Sequence, residues 1–253
     1  MRTIATALSL LLTATGCSSM WSDDLVVDGV RLKESHRETL ALPEALPDGL
    51  RVSSHMGDVV VRTVDGDAGG WIEAKLHEYT PGDAHLELLD GELIPVSASG
   101  QPCALGDVSI HCRSVTDLVL ATGMGDVSVQ GVVVSGDLKA ETGTGDVVLV
   151  DTGAPLRVVA HSGMGDIELV TLTSGELLAE SGMGDLELRQ VLAETAVCSS
   201  GMGDVDLREC SFGDLQATTG MGDIDCRQTT YDKGKLDSGM GKVRRETVTR
   251  EVE

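Results

Sequence analysis

An aspartate that directly follows a glycine recurs at Asp58, Asp107, Asp126, Asp146, Asp166, Asp185, Asp204 and Asp223, most often inside the string SGMGD or TGMGD. A row of carboxylates suggests three roles. It could hold cations, with Ca2+ the natural candidate. That ion takes about six to eight oxygens, however, and one carboxylate per repeat supplies few of them. It could serve a polysaccharide-active enzyme. Such a site would gather acidic and basic side chains on long insertions, with aromatic rings for sugar stacking. The stretch from Asp107 to Asp223 carries no insertion, and the whole chain holds one Phe, two Trp and two Tyr. In the third role the carboxylates do no chemistry and accept the backbone N–H groups of their own corners, as in Asx-turns. That structural role is the expectation here, with Ca2+ binding as the alternative and no catalytic residues.

Other chemistry-bearing side chains are sparse. Histidines at positions 36, 55, 77, 85, 111 and 161 are scattered, and His161 beside Ser162 reads as an outward residue next to a corner hydroxyl. Cys103, Cys112, Cys198, Cys210 and Cys226 show neither a CxxC nor a Cys/His zinc spacing. In an oxidising compartment an odd number leaves at least one of them unpaired or paired between chains. Cys103 and Cys112 bracket ALGDVSIH and are the expected disulfide, formed across the corner at Asp107.

The spacing of the aspartates shows what must position them. From Asp107 to Asp223, and on to Lys242 in SGMGKVRRE, the steps are 19, 20, 20, 19, 19, 19 and 19 residues. Apolar residues alternate after each Asp, as in Val127/Val129, Ile167/Leu169, Leu186/Leu188 and Val205/Leu207. A second alternating pair precedes it, as in Leu138/Ala140, Val158/Ala160, Leu177/Ala179 and Leu215/Ala217. Period two marks strands with one buried face. Each repeat is therefore strand, corner, strand, corner, with a second glycine corner at Gly136, Gly175 and Gly213. Two short strands cannot bury that face alone, but stacked coils about 4.8 Å apart can. The fold class is all-β, a β-solenoid resembling a parallel β-helix, with two short strands per coil. The corner glycines are expected to supply positive φ. Thr122, Thr142, Ser162, Ser181, Ser200, Thr219 and Ser238 form a hydroxyl column. Met124, Met164, Met183, Met202, Met221 and Met240 form a flexible apolar cover, broken by Thr144.

The segments flanking the repeats are irregular. MRTIATALSLLLTATGC reads as a signal peptide over residues 1–16, ending in a relaxed lipobox with Cys17 as the lipidated residue. Ser18 after that cysteine fits outer-membrane sorting. Residues 17–41 read as a tether, 42–106 as an irregular β entry that caps the solenoid, 107–245 as the repeats, and 246–253 as a charged tail. The net charge of −22 opposes nucleic-acid binding and adsorption to anionic lipid, and suits cations or cationic peptides.

SSHMGDVVV, TGMGDVSV, SGDLKAETGTGDVVL and SGELLAESGMGDLEL, set in this register, resemble DUF4097, a family of adhesin-like β-strand-repeat domains, from about Leu42 to about Arg245. The resemblance implies a β-solenoid in an exported or membrane-tethered bacterial protein. It brings no catalytic residues. The expected function is non-enzymatic: a membrane-anchored envelope lipoprotein whose acidic repeat face meets an envelope protein or a cationic peptide. A structural or Ca2+-binding spacer is the alternative, and a polysaccharide-active enzyme the third reading.

Overall fold

The computed structural model describes residues 25–43, 49–64, 69–152 and 156–246. Cys17 and the signal-peptide reading lie outside them, as does nearly all of the 246–253 tail. Every element among the described residues is a strand, and no helix is long and apolar enough to cross a membrane.

The alternating sequence pairs become two stacks of parallel strands in register. One runs through Leu118–Met124, Asp137–Thr144, Arg157–Ser162, residues 176–181, residues 195–200, Ser211–Thr219 and Thr230–Ser238. The other runs through Val127–Gln130, Val147–Val150, residues 167–170, residues 186–189, Val205–Arg208, Ile224–Arg227 and Val243–Glu246. Like residues form interior ladders. Val127, Val147, Ile167, Leu186, Val205 and Ile224 are each 0% exposed, and small Ala140, Ala160, Ala179, Cys198 and Ala217 fill the narrow part of the interior. Burying one such Leu or Val contributes about 1.5–3 kcal/mol. No coil can realise this alone, because its neighbours are the burial.

The first coils do not stack in sequence order. Leu50–Met56 and Val59–Arg62 pair directly with Leu118–Met124 and Val127–Gln130. On its other side, Val59–Arg62 pairs with residues 108–111. Residues 50–62, expected in the irregular entry, are therefore a regular coil, and Asp107 lies beyond Asp58 rather than beside Asp126. Between them the chain builds the cap. Glu34–Ala41 pairs antiparallel with Trp71–Glu78, which pairs antiparallel with Cys103–His111. The hairpin Ala84–Leu89/Glu92–Ser97 lies alongside. Residues 25–41, expected as a tether, also belong to this cap, since Leu25 and Leu32 of the first hairpin bury against Ala104.

Glu78 holds the cap loop together. Its carboxylate accepts the N–H groups of Gly82, Asp83 and Ala84 and contacts His36 Nδ1 at 2.8 Å. Burial alone would raise its pKa. The N–H bonds from Ala84 and Gly82 and the His36 ring outweigh that and hold it below the ordinary value.

Candidate functional site

The GMGD corner is where all the sequence columns meet, and its bonds run between coils. Asp58 N–H donates to Asp107 Oδ1 at 3.2 Å and Asp126 N–H to Asp58 Oδ1 at 2.9 Å. The ladder continues from Asp146 to Asp126, Asp166 to Asp146, Asp185 to Asp166, Asp204 to Asp185 and Asp223 to Asp204, at 2.7–2.8 Å. Lys242 N–H closes it on Asp223 Oδ1 at 2.8 Å. Each carboxylate does accept a backbone N–H, but that of the next coil and not its own. Lys242 brings a donor and no acceptor, so the ladder ends with it.

The hydroxyl column forms a second ladder. Thr122, Thr142, Ser162, Ser181, Ser200, Thr219 and Ser238 each donate to a glycine carbonyl of the preceding coil, at 2.7–2.9 Å. Five of these oxygens, on Ser162, Ser181, Ser200, Thr219 and Ser238, also accept, within their own corners, the N–H of Gly165, Gly184, Gly203, Gly222 and Gly241. Most of these hydroxyls are buried and doubly used.

The glycines are explained by this stacking. Of the corner glycines, Gly57 and Gly125 have positive φ, but Gly145, Gly165, Gly184, Gly203, Gly222 and Gly241 do not. A Cβ on Gly184 would instead sit 2.1 Å from the Gly165 carbonyl oxygen, and one on Gly182 2.3 Å from that of Gly163. Close approach of neighbouring backbones, rather than an unusual dihedral, excludes every side chain here. Positive φ appears at the other bend, on Asp151, Thr171, Gln190, Glu209 and Gln228, all near +50°. This left-handed residue shifts the alternation by one, so that Thr152, Leu172, Val191, Cys210 and Thr229 turn inward. The sequence reading missed this column. Its polar residues recur at the coil period, but Thr, Gln and Glu carry no left-handed signal.

The five described cysteines are free thiols. Cys103 and Cys112 do not pair. Asp107 makes no corner: the strand Cys103–His111 passes it with a bulge at residues 106–107, where its register against Trp71–Glu78 shifts by one, so that Cys103 lies opposite Glu78 and Cys112 follows His111, opposite Trp71, about 23 Å away at strand rise. Burial pushes the Cys198 thiol up to about 12 and those of Cys112, Cys210 and Cys226 up to about 11, so they act as small apolar side chains.

The outward charges sort into two rows. Glu168, Glu187, Asp206 and Asp225 are met by arginines. Arg189 contacts Glu187 and, at 3.9 Å, Glu168; Arg208 contacts Asp206 and, at 3.6 Å, Glu187; Arg227 lies 2.5 Å from Asp225. In the GMGD row Asp223 pairs with Arg244 at 3.3 Å. Among the described residues no group of three or more His, Cys, Asp or Glu side chains is placed to hold a metal ion.

Coils of two strands, joined at one corner by hydroxyl and carboxylate ladders, thus stack in register over residues 137–246. Residues 137–249 match the family described as Toastrack DUF4097. The Toastrack match starts at the coil opened by Asp137, after the stretch where cap and first coils interleave. The fold extends further than the match. A "putative adhesin" from Bacteroides fragilis superposes with a TM-score of 0.59 at 16% identity, covering 85% of this chain and 98% of the other. A "putative adhesin" from Parabacteroides distasonis gives 0.50 at 11% identity, covering 84% and 97%. These likenesses establish the fold. No curated protein matches the chain. Neither the family description nor these names points to an enzyme.

Proposed function

We propose that the protein is a non-enzymatic, exported lipoprotein, tethered through Cys17 to the outer membrane, whose solenoid is an adhesin-like interaction module for a cationic partner in the cell envelope. The observation that carries this reading is the uninterrupted GMGD edge. Its backbone groups are satisfied by neighbouring coils, and its outer surface repeats one chemistry from coil to coil. A repeat array offers such an extended surface to a macromolecule rather than a pocket to a small substrate. The buried, doubly used hydroxyls are poor nucleophiles, and each carboxylate is already engaged in the stack.

The test is proximity labelling in intact cells, comparing the native chain with Cys17→Ser. The reading expects an envelope protein enriched around the native chain, with labelling weakened by salt, and release of Cys17→Ser from the membrane fraction. Native chain recovered in the cytoplasm, or no enrichment over a charge-matched control, would overturn it. A large, chelator-reversible rise in melting temperature with millimolar Ca2+ would favour the spacer alternative instead.

A further inference from the structure

The GMGD edge carries one column whose side chains take no part in the rungs. Met56, Met124, Met164, Met183, Met202, Met221 and Met240 are 36–75% exposed. Stacking does not require methionine there. The coil with Thr144 keeps the same rungs, from Thr142 to the Gly125 carbonyl at 2.7 Å and from Asp166 N–H to Asp146 Oδ1 at 2.8 Å. From Met164 to Met240 the thioethers stand on consecutive coils, a run of about 19 Å at strand spacing. Beside them lie Asp166, Asp185 and Asp204, which have no salt-bridge cation among the described residues, whereas the adjacent acidic row is matched by Arg189, Arg208 and Arg227. A flexible apolar stripe thus runs along a row of uncompensated negative charge from Met164 to Met202, and only at its far end is Asp223 paired with Arg244 and Lys242 set beside Met240.

The chemistry of the occupant follows from these two columns. Negative charge beside the stripe disfavours anionic lipid and a second copy of the same edge. It attracts a cation-rich partner, and exposed methionines adapt to varied apolar side chains. The repeat distance selects its conformation. One helical turn rises about 5.4 Å, close to the coil spacing, and about 13 helical residues match the run. Same-face side chains of an extended strand recur at about 6.7 Å and drift out of step sooner. We propose that the Met164–Met240 stripe is the docking edge of the module, and that it receives a lysine- or arginine-rich amphipathic helix of a partner protein. The apolar face of that helix lies on the methionines and its cations face the Asp row. This inference rests on the interaction-module reading above.

The test uses the purified protein and a fluorescent Leu/Lys amphipathic peptide of about 18 residues, long enough to span the stripe as a helix. Its partner probe is a scrambled peptide of identical composition and no apolar face. Anisotropy should show binding that weakens with salt, and the scrambled peptide should bind about tenfold more weakly or worse, for want of a continuous apolar face to bury. The triple variant Met183→Ser/Met202→Ser/Met221→Ser should bind the amphipathic peptide similarly weakly while melting with the wild type. Asp185→Asn/Asp204→Asn, which keeps both rung acceptors, should weaken binding and flatten its salt dependence. No binding to the wild type, equal binding of both peptides, or a folded triple variant that binds unchanged would each overturn the inference. If the triple variant misfolds, the Asn pair decides: unchanged affinity and salt slope would overturn it. An envelope partner that the native chain captures in cells, and that also binds the triple variant normally, would leave the module reading standing and remove this edge as its site.

Discussion

Gly184→Ala separates two reasons for a corner glycine that predict opposite signs. Gly184 does not have positive φ, so conformational entropy alone would make alanine stabilising by about 0.4–1 kcal/mol. The stack predicts the reverse. The new Cβ would lie 2.1 Å from the Gly165 carbonyl oxygen, 2.4 Å from its carbon and 2.7 Å from Asp166 Oδ1. Ordinary contact needs about 3.5 Å, so the corner must lift by about 1.4 Å at the closest point. Four bonds join these two corners: Ser181 Oγ–H to the Gly165 carbonyl at 2.9 Å, Asp185 N–H to Asp166 Oδ1 at 2.7 Å, Ile167 N–H to the Asp185 carbonyl at 2.9 Å, and Gly182 N–H to the Ser162 carbonyl at 3.0 Å. A lift of that size stretches them past useful length, and at roughly 1 kcal/mol each, with partial relaxation, the loss is about 3 kcal/mol. For a chain of this size that lowers the melting temperature by about 6–12 °C. Calorimetry on wild type, Gly184→Ala and Gly69→Ala reads it out. Gly69 also lacks positive φ and has nothing within 4 Å, so its variant should melt with the wild type or slightly above. A Gly184→Ala protein that melts at or above the wild type would refute the stacking argument.

Three further outcomes follow from the same geometry. Asp185→Ala should cost about 1 kcal/mol, because it removes the acceptor of the Asp204 N–H, while Asp185→Asn should cost a few tenths; urea titration giving equal losses would contradict the rung. Thr171→Gly should stabilise by about 1 kcal/mol, since a β-branched residue sits at φ 52°, and a lower melting point would show that the bend needs Thr171 for another reason. Glu78 is held below its ordinary value of 4.5, so the folded cap binds its proton less readily than the unfolded chain. Its contribution to stability is full above that ordinary value and lost as pH falls through it towards the lower folded one. Glu78→Gln should therefore flatten the acid limb of a stability–pH profile, and an unchanged limb would assign the acid sensitivity elsewhere.

The sequence carried the period, the buried ladders and the columns, because each coil repeats one burial pattern and Leu186 or Val205 has no freedom to face outward. It did not carry the order of the first coils. Residue spacing counts chain length, whereas Asp58 and Asp107 became neighbours through antiparallel cap strands whose pairing partners are far apart in sequence. Nor did it carry the direction of the corner bonds. Ser-Gly-Met-Gly-Asp looks the same whether its Asp bonds inward to its own turn or across to the next, and only the approach of Gly184 to Gly165 separates close stacking from positive φ. The disulfide expectation failed for a related reason. A glycine–aspartate pair at 106–107 was read as a corner, but with the cap strand Trp71–Glu78 to pair with, the chain there makes a bulge within a continuing strand instead. Thr171 and its counterparts were hidden because their conformation is imposed by stacked neighbours and not by their own propensity.

The central claim is that the carboxylates are rungs between coils. The most direct measurement is scalar coupling across the hydrogen bond in isotope-labelled protein, between the backbone nitrogen of Asp204 and the side-chain carboxyl carbon of Asp185. The structure predicts a coupling for that pair, and equally for Asp185 with Asp166 and Asp223 with Asp204. Couplings confined to each aspartate's own corner, or exchange-labile Asp amides with no coupling at all, would contradict the account.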